Sequence, residues 1–112
     1  MKKKPIIELS LAPYPGRVFI VLTRAAYEKK HKSLFGCEDK LNSFQMGRFT
    51  GHRPDGGVWT YLVWAKNQSS LVHELSHVVL EVFDSAGIDP RGCGGEPFCY
   101  MLSHLLDSCN SY

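Results

Sequence analysis

The sequence lacks several features that would assign it directly to a class of protein. No run approaches the roughly twenty consecutive apolar residues that a membrane helix needs, and there is no internal repeat, low-complexity tract or linker. Thirteen Lys and Arg against eleven Asp and Glu leave a net charge of +2, and Lys2, Lys3 and Lys4 supply three of the cations. So small an excess does not indicate a nucleic-acid-binding surface. We therefore expect neither a membrane nor a nucleic acid as partner.

The cysteines and the N-terminus bear on the compartment. The chain has four cysteines, none in a close CxxC pair: Cys37, Cys93, Cys99 and Cys109. The basic residues 1–4 resemble the start of a secretory signal, but Glu8 interrupts the apolar stretch that follows. Without an export signal, free and mostly buried thiols are expected rather than a disulfide framework. These features predict a cytoplasmic protein.

Hydrophobic patterning predicts an α+β fold. The length of 112 residues predicts one domain that spans the whole sequence, because two halves would be too small to bury separate cores. Strands are predicted at residues 6–11, 17–23, 44–50 and 58–65, with hairpin-turn composition at residues 51–57. A first helix at residues 24–35 ends at Gly36. A second is capped by Ser69 or Ser70 and runs to about Ser85, before Gly87. Residues 88–95 form a loop, and a last helix begins near Glu96.

The second predicted long helix contains an HExxH motif, His73-Glu74-Leu75-Ser76-His77. Histidines four residues apart lie about 40° apart around a helix, so both imidazoles can reach one metal ion. Glu74 lies close enough to contact a water at that ion without being forced to ligate it. The apolar residues lie on the other face of the helix: Leu71, Leu75, Val78, Val79, Val82, Phe83 and Ala86. This arrangement favours a metal site over two incidental helix histidines.

A zinc hydrolase site usually has three protein ligands and one position open to water, so a third ligand must lie outside the motif. Asp84 lies on a similar face of the helix but about 10 Å further along its axis, which is out of reach. Asp89 and Cys93, in the following loop, stay open as alternatives. We favour Glu96, because a turn after Gly87 would bring the last helix back antiparallel to the HExxH helix.

The last predicted helix has one polar and one apolar face. The apolar face consists of Phe98, Met101, Leu102, Leu105 and Leu106. The polar face, here called the C-terminal polar stripe, consists of Glu96, Tyr100, Ser103, His104 and Asp107. A stripe headed by a glutamate suggests one wall of a site, and simple exposure to solvent is the alternative.

The order of HExxH, loop and helix-heading glutamate resembles the gluzincin type of zinc metallopeptidase. More narrowly, the chain resembles small HExxH proteins encoded by bacteriophages and prophages, which are sometimes described as metallopeptidases. The likeness covers residues 47–50, 56–64 and 71–106, and the first forty residues add little to it. It implies a minimal zincin-like fold, in which a small mixed sheet packs on the HExxH helix and a C-terminal helix. The chain departs from larger gluzincins in lacking a substantial second domain, so substrate pockets must be shallow or completed by another protein.

The expected activity is zinc-dependent hydrolysis of a peptide bond, with Zn²⁺ held by His73, His77 and Glu96. Glu74 would act as general base towards the attacking water and then protonate the leaving amine. Tyr100, or alternatively His104, would donate a hydrogen bond to the developing oxyanion. The partner would be a protein or peptide substrate, and residues 58–65 could bind it as an added strand. Ordinary sheet packing explains the aromatic residues of that segment equally well.

Two other functions compete with this hypothesis. In one, the chain is a catalytically silent, metal-binding phage protein that docks a host or virion partner, as its small size and shallow site would suit. In the other, the chain binds DNA or RNA. The only support for this function is the basic N-terminus and scattered arginines, and the near-neutral net charge disfavours it.

Overall fold

A computed structural model describes residues 6–53 and 57–110. Its strands are β1 (Ile6–Ser10), β2 (Arg17–Val21), β3 (Gly47–His52) and β4 (Thr60–Ala65), and its helices are α1 (Arg24–Phe35), α2 (Gln68–Ala86) and α3 (Glu96–Asn110). A short 3-10 turn, Gly92–Gly95, precedes α3. The predicted α+β class is confirmed: the strands form one mixed sheet, and the helices pack on it.

The sheet has the order β1-β2-β4-β3. β1 pairs antiparallel with β2, and β3 pairs antiparallel with β4. The central pair, β2 and β4, is parallel, with Val18 opposite Tyr61 and Ile20 opposite Val63. A parallel pair needs a long crossover, which here contains α1 and β3. β1 and β2 thus pair across the short turn between them.

Alternation along the two central strands divides the core into two layers. Val18, Ile20, Tyr61 and Val63 belong to a cluster with the apolar residues of α2 and α3. Phe19, Val21, Leu62 and Trp64 belong to a second cluster with Tyr27 of α1. Because both faces are covered, these strands are apolar at nearly every position, and each fully buried large side chain contributes about 1.5–3 kcal/mol.

The ends of the helices follow from local side-chain chemistry. Thr23 caps α1 by accepting a hydrogen bond from the Ala26 amide, and Gly36 ends the helix with a left-handed backbone, as predicted. The predicted cap of α2 was wrong: Asn67 caps the helix instead of Ser69 or Ser70. Asn67 has an extended backbone, and its side-chain oxygen accepts from the Ser70 amide at 2.8 Å.

The third strand begins later than predicted, at Gly47 rather than at residue 44. The Asn42 side chain accepts hydrogen bonds from the amides of Phe44 and Gln45, which turns the chain before the strand starts. Phe44 is consequently 89% exposed. The strands on either side of the predicted hairpin turn do pair, and residues 54–56 of that turn lie outside the described residues.

None of the helices in the described ranges is both long enough and apolar enough to cross a membrane. The cysteines are free, as expected, but the expectation that most are buried was wrong. Cys37, Cys93 and Cys99 are exposed, and Cys109 alone among the four is buried, where burial raises its pKa to about 11.

The identity of the α2 cap can be tested by mutation. Asn67→Ala should lower the free energy of unfolding by about 1 kcal/mol, because it leaves the Ser70 amide without its acceptor. Ser69→Ala, two positions along, is the matched control and should change it by less than about 0.5 kcal/mol. Chemical denaturation of both variants measures the difference. Equal losses, or a larger loss for Ser69→Ala, would contradict the assignment.

Candidate metal centre

The two motif histidines converge at the exposed side of α2. Their Nε2 atoms lie 3.3 Å apart, and their ring planes meet at 83°. The two rings are exposed, whereas Glu74 between them in sequence is 9% exposed. The ligand atoms of His73, Glu74 and His77 all lie within 4.8 Å of one another. Elsewhere in the described part of the chain, no three His, Cys, Asp or Glu side chains gather as closely.

The separation of the two nitrogens fits a shared zinc ion. Two nitrogen ligands about 2.0–2.1 Å from zinc, at a tetrahedral angle, lie about 3.3–3.4 Å from each other. The observed 3.3 Å between the Nε2 atoms matches this spacing. The donor set of two imidazoles beside a carboxylate is also one that zinc favours.

The side of β3 that faces α2 shapes this centre, which sequence reasoning did not anticipate. The Phe49 ring stacks on His77, with centroids 5.6 Å apart and planes at 16°. A Cβ atom on Gly47 would lie 2.8 Å from Oε2 of Glu74, so the bare backbone of Gly47 faces the carboxylate. Gly51, on the same side of the strand, lies under the Tyr61 ring. The sequence does contain a signal for this arrangement, the alternation Gly47, Phe49, Gly51. It places two glycines, which have no side chain, on either side of one aromatic ring on the same face of the strand.

The opposite side of β3 is held by a group of polar residues, here called the β3 clamp: Tyr27, Asp39, Arg48 and Thr50. The Tyr27 hydroxyl donates to Oδ2 of Asp39 at 2.6 Å and lies 2.7 Å from Oγ1 of Thr50. Arg48 donates from Nε to the same Asp39 oxygen at 2.9 Å. The clamp therefore ties β3 both to α1 and to the loop that precedes the strand.

Protonation within the clamp reflects these contacts. Burial, reinforced by the hydrogen bond to Asp39, raises the pKa of Tyr27 to about 12. Burial alone would raise the pKa of Asp39, but hydrogen bonds from Tyr27 and Arg48 outweigh it and hold that pKa below its ordinary value. The hydrogen bond to Asp39 likewise raises the pKa of Arg48. Near neutral pH the clamp therefore holds an ionised carboxylate and a neutral phenol.

Glu96, the predicted third ligand, heads α3 but does not belong to the group around the histidines. The Phe98 ring packs edge-on against Phe83. Phe83 is six residues beyond His77, about 9 Å along the axis of α2. The antiparallel return of α3 that the sequence predicted thus begins well past the histidines, about as far along α2 as Asp84. The ligand role of Glu96 stays a prediction.

A shallow cavity of about 370 Å³ adjoins His77, lined by His77, Leu80, Glu81, Asp84, Ile88 and Pro90. A Cβ atom on Gly95 would lie 3.8 Å from the Pro90 carbonyl oxygen, but Glu96 itself is not among the residues that line this cavity. Of the alternative ligands, Asp89 pairs with Arg91 and Cys93 is exposed in the 3-10 turn. Neither joins the histidine group.

All five residues of the C-terminal polar stripe are exposed. This exposure agrees with the solvent-facing alternative, and the role of the stripe as one wall of a site stays a prediction. Tyr100 is 72% exposed. No close group of ligand side chains in the described ranges includes His104. Their roles as oxyanion donors remain predictions.

The strand proposed from sequence to receive substrate lies in the interior of the sheet. β4 bonds to β2 on one side and to β3 on the other, so no further strand can be added there. Its residues Tyr61 and Trp64 are buried, which confirms the sheet-packing explanation of the aromatics. The strand at this edge of the sheet is β3.

Comparison with known proteins adds no relative. No protein-family model matches the chain, and neither curated proteins nor solved structures give a match. The assignment of function therefore depends on the residues and geometry described above.

The clamp predicts how stability depends on pH. Because folding lowers the pKa of Asp39, its contribution is complete above the ordinary aspartate value of 3.8 and is lost as the pH falls through the lower folded value. Asp39→Asn should therefore be less stable than the native chain near neutral pH, and the gap should narrow below about pH 3.8. Denaturant unfolding at a series of pH values measures this gap. A gap that stays constant into acid would show that the Asp39 charge does not stabilise the fold.

Proposed function

We propose that this chain is a zinc-dependent peptidase of the HExxH type, with a minimal zincin-like fold. One observation carries the proposal: two exposed histidine Nε2 atoms 3.3 Å apart, next to a largely buried glutamate within the same 4.8 Å group. A buried carboxylate beside two converging imidazoles is the arrangement expected of a general base next to a metal.

In this proposal His73 and His77 hold the zinc ion, and Glu96 is the third ligand that the sequence predicts, although α3 begins well past the histidines. When bound, zinc would acidify a water and polarise the carbonyl of a peptide bond. Glu74 would accept a proton from the attacking water at its carboxylate and deliver it to the leaving amine. Phe49, stacked on His77, would hold the imidazole ring in its orientation. Tyr100, or alternatively His104, is the proposed donor to the developing oxyanion.

The proposed substrate is a protein or peptide in extended form, bound along β3. β3 is last in the sheet order, and on its helix-facing side the backbone of Gly47 faces Glu74 and the Phe49 ring stacks on His77. An added strand would take its main-chain hydrogen bonds from the outer edge of β3. The receiving strand in this proposal is therefore β3, which lies one position further out in the sheet than β4, the strand suggested by the sequence.

A second candidate function is non-enzymatic docking through the metal. The exposure of both histidines favours it, because a side chain of a partner protein could supply the missing ligand. Either function suits a phage-encoded protein acting in the host cytoplasm, where four free thiols would stay reduced. Glu74 distinguishes the two functions, since docking needs the ligands but no general base.

The role of Glu74 is tested by Glu74→Gln. The purified native chain should hold about one zinc ion and cleave peptide substrates. The variant should keep the zinc, because the histidines are intact, and lose at least about 100-fold in kcat, because an amide cannot take up the proton. His77→Ala is the companion variant and should lose both zinc and activity. Peptide-cleavage assays measure kcat, and atomic absorption measures the zinc content of each variant. Full activity in Glu74→Gln would exclude the proposed mechanism.

The third ligand is tested by comparing Glu96 with Glu81, a glutamate that lines the cavity beside His77. Glu96→Gln should weaken zinc binding by about tenfold or more, whereas Glu81→Gln, which changes a cavity-lining residue, should leave it within about twofold. Competition with a chromogenic chelator measures both affinities. The reverse order would assign the ligand to Glu81, and no effect in either variant would favour a ligand from a partner.

A further inference from the structure

We propose that Gly47 is a positioning residue for Glu74: the missing side chain at Gly47 provides the space that the Glu74 carboxylate occupies. The proposal rests on the proposed function, since it assigns Gly47 a part in placing the general base. It concerns the first residue of β3, which lies outside the HExxH motif and has no side chain with which to bind metal or transfer a proton.

The contact is closer than a side chain at position 47 would allow. A Cβ atom on Gly47 would lie 2.8 Å from Oε2, 2.9 Å from Cγ and 3.2 Å from Cδ of Glu74. Carbon atoms in favourable contact are separated by about 3.5–4.0 Å, so even alanine would overlap the outer half of the Glu74 side chain. Alanine at this position therefore requires either the strand or the carboxylate to move.

The strand is held in place on several sides. Gly47 pairs with Ala65 of β4, and the preceding residue, Met46, accepts a hydrogen bond from the Lys66 amide at 2.7 Å. The next residue, Arg48, is bound to Asp39 in the β3 clamp. Glu74, by contrast, reaches Gly47 through three rotatable side-chain bonds. When alanine replaces Gly47, the Glu74 carboxylate is therefore the group that moves, and it moves away from its position beside the histidines.

Gly51 shows that a glycine on this strand does not by itself contact the candidate metal centre. A Cβ atom there would lie 2.7 Å from Cδ1 and Cε1 of Tyr61. That ring is buried and stacked between Trp59 and Phe49, so it has no comparable freedom to turn aside. Gly51 therefore accommodates a core ring, whereas Gly47 accommodates an ionisable group of the candidate centre.

The test is the kinetics of Gly47→Ala in the full chain loaded with zinc. kcat should fall by about 100-fold, as expected for a reacting group misplaced by about 1 Å. KM and zinc affinity should stay within about twofold, because the histidines and the outer edge of β3 are unchanged. Gly92→Ala is the matched control, since a Cβ atom at Gly92 would meet nothing within 4 Å, and it should behave like the native chain. A kcat within twofold of native, or an equal loss of zinc affinity, would overturn the proposal.

The contact itself is tested by unfolding, independently of activity. Gly47→Ala should destabilise the native chain and the Glu74→Gln chain equally, since Gln has the size of Glu. In a Glu74→Ala background, which removes Cγ, Cδ and Oε2, the destabilisation should disappear. If Gly47→Ala does not fold alone, it should fold in that background, and failure in both would overturn the proposal. A native chain that binds zinc but cleaves no peptide would refute the proposed function alone, leaving this cycle to decide the contact.

Discussion

The packing of α2 against β3 and β4 is the constraint on which the candidate centre depends. α2 buries Leu75, Val78, Val79, Val82 and Phe83, which fixes its rotation relative to the sheet. With that rotation set, the helical repeat turns His73 and His77 towards solvent and Glu74 towards β3. The same burial that stabilises the fold therefore gives the three side chains of the motif their different environments.

β3 connects this centre to the rest of the fold, because its two sides face different surroundings. One side presents Gly47 and Phe49 to Glu74 and His77. The other side carries Arg48 and Thr50, which belong to the clamp with Tyr27 and Asp39. A strand at the edge of a sheet has fewer main-chain hydrogen bonds than a central one, and the clamp supplies side-chain bonds in their place.

Periodic features of the chain were predictable from sequence, and features set by distant contacts were not. The apolar repeat of α2 predicted both the helix and the opposite orientation of its histidines, and Gly36 and Gly87 marked two helix ends. Asn67 rather than Ser69 caps α2 because the backbone is extended at Asn67, just before the helix begins. The positions of β3 at the edge and β4 in the interior depended on which strand β2 selects as its parallel partner. No local pattern encodes that selection.

The order of elements along the chain also separates near contacts from distant ones. β3, β4 and α2 follow one another in residues 47–86, and the contacts of Gly47 with Glu74 and of Phe49 with His77 lie within this stretch. The parallel pairing of Val18 with Tyr61 instead closes a loop that contains α1 and β3. Loop-closure entropy and contact order place such a pairing among the slower steps of folding. The histidine pair and its carboxylate thus belong to a consecutive ββα unit, whose internal contacts need less chain closure than the sheet that contains it.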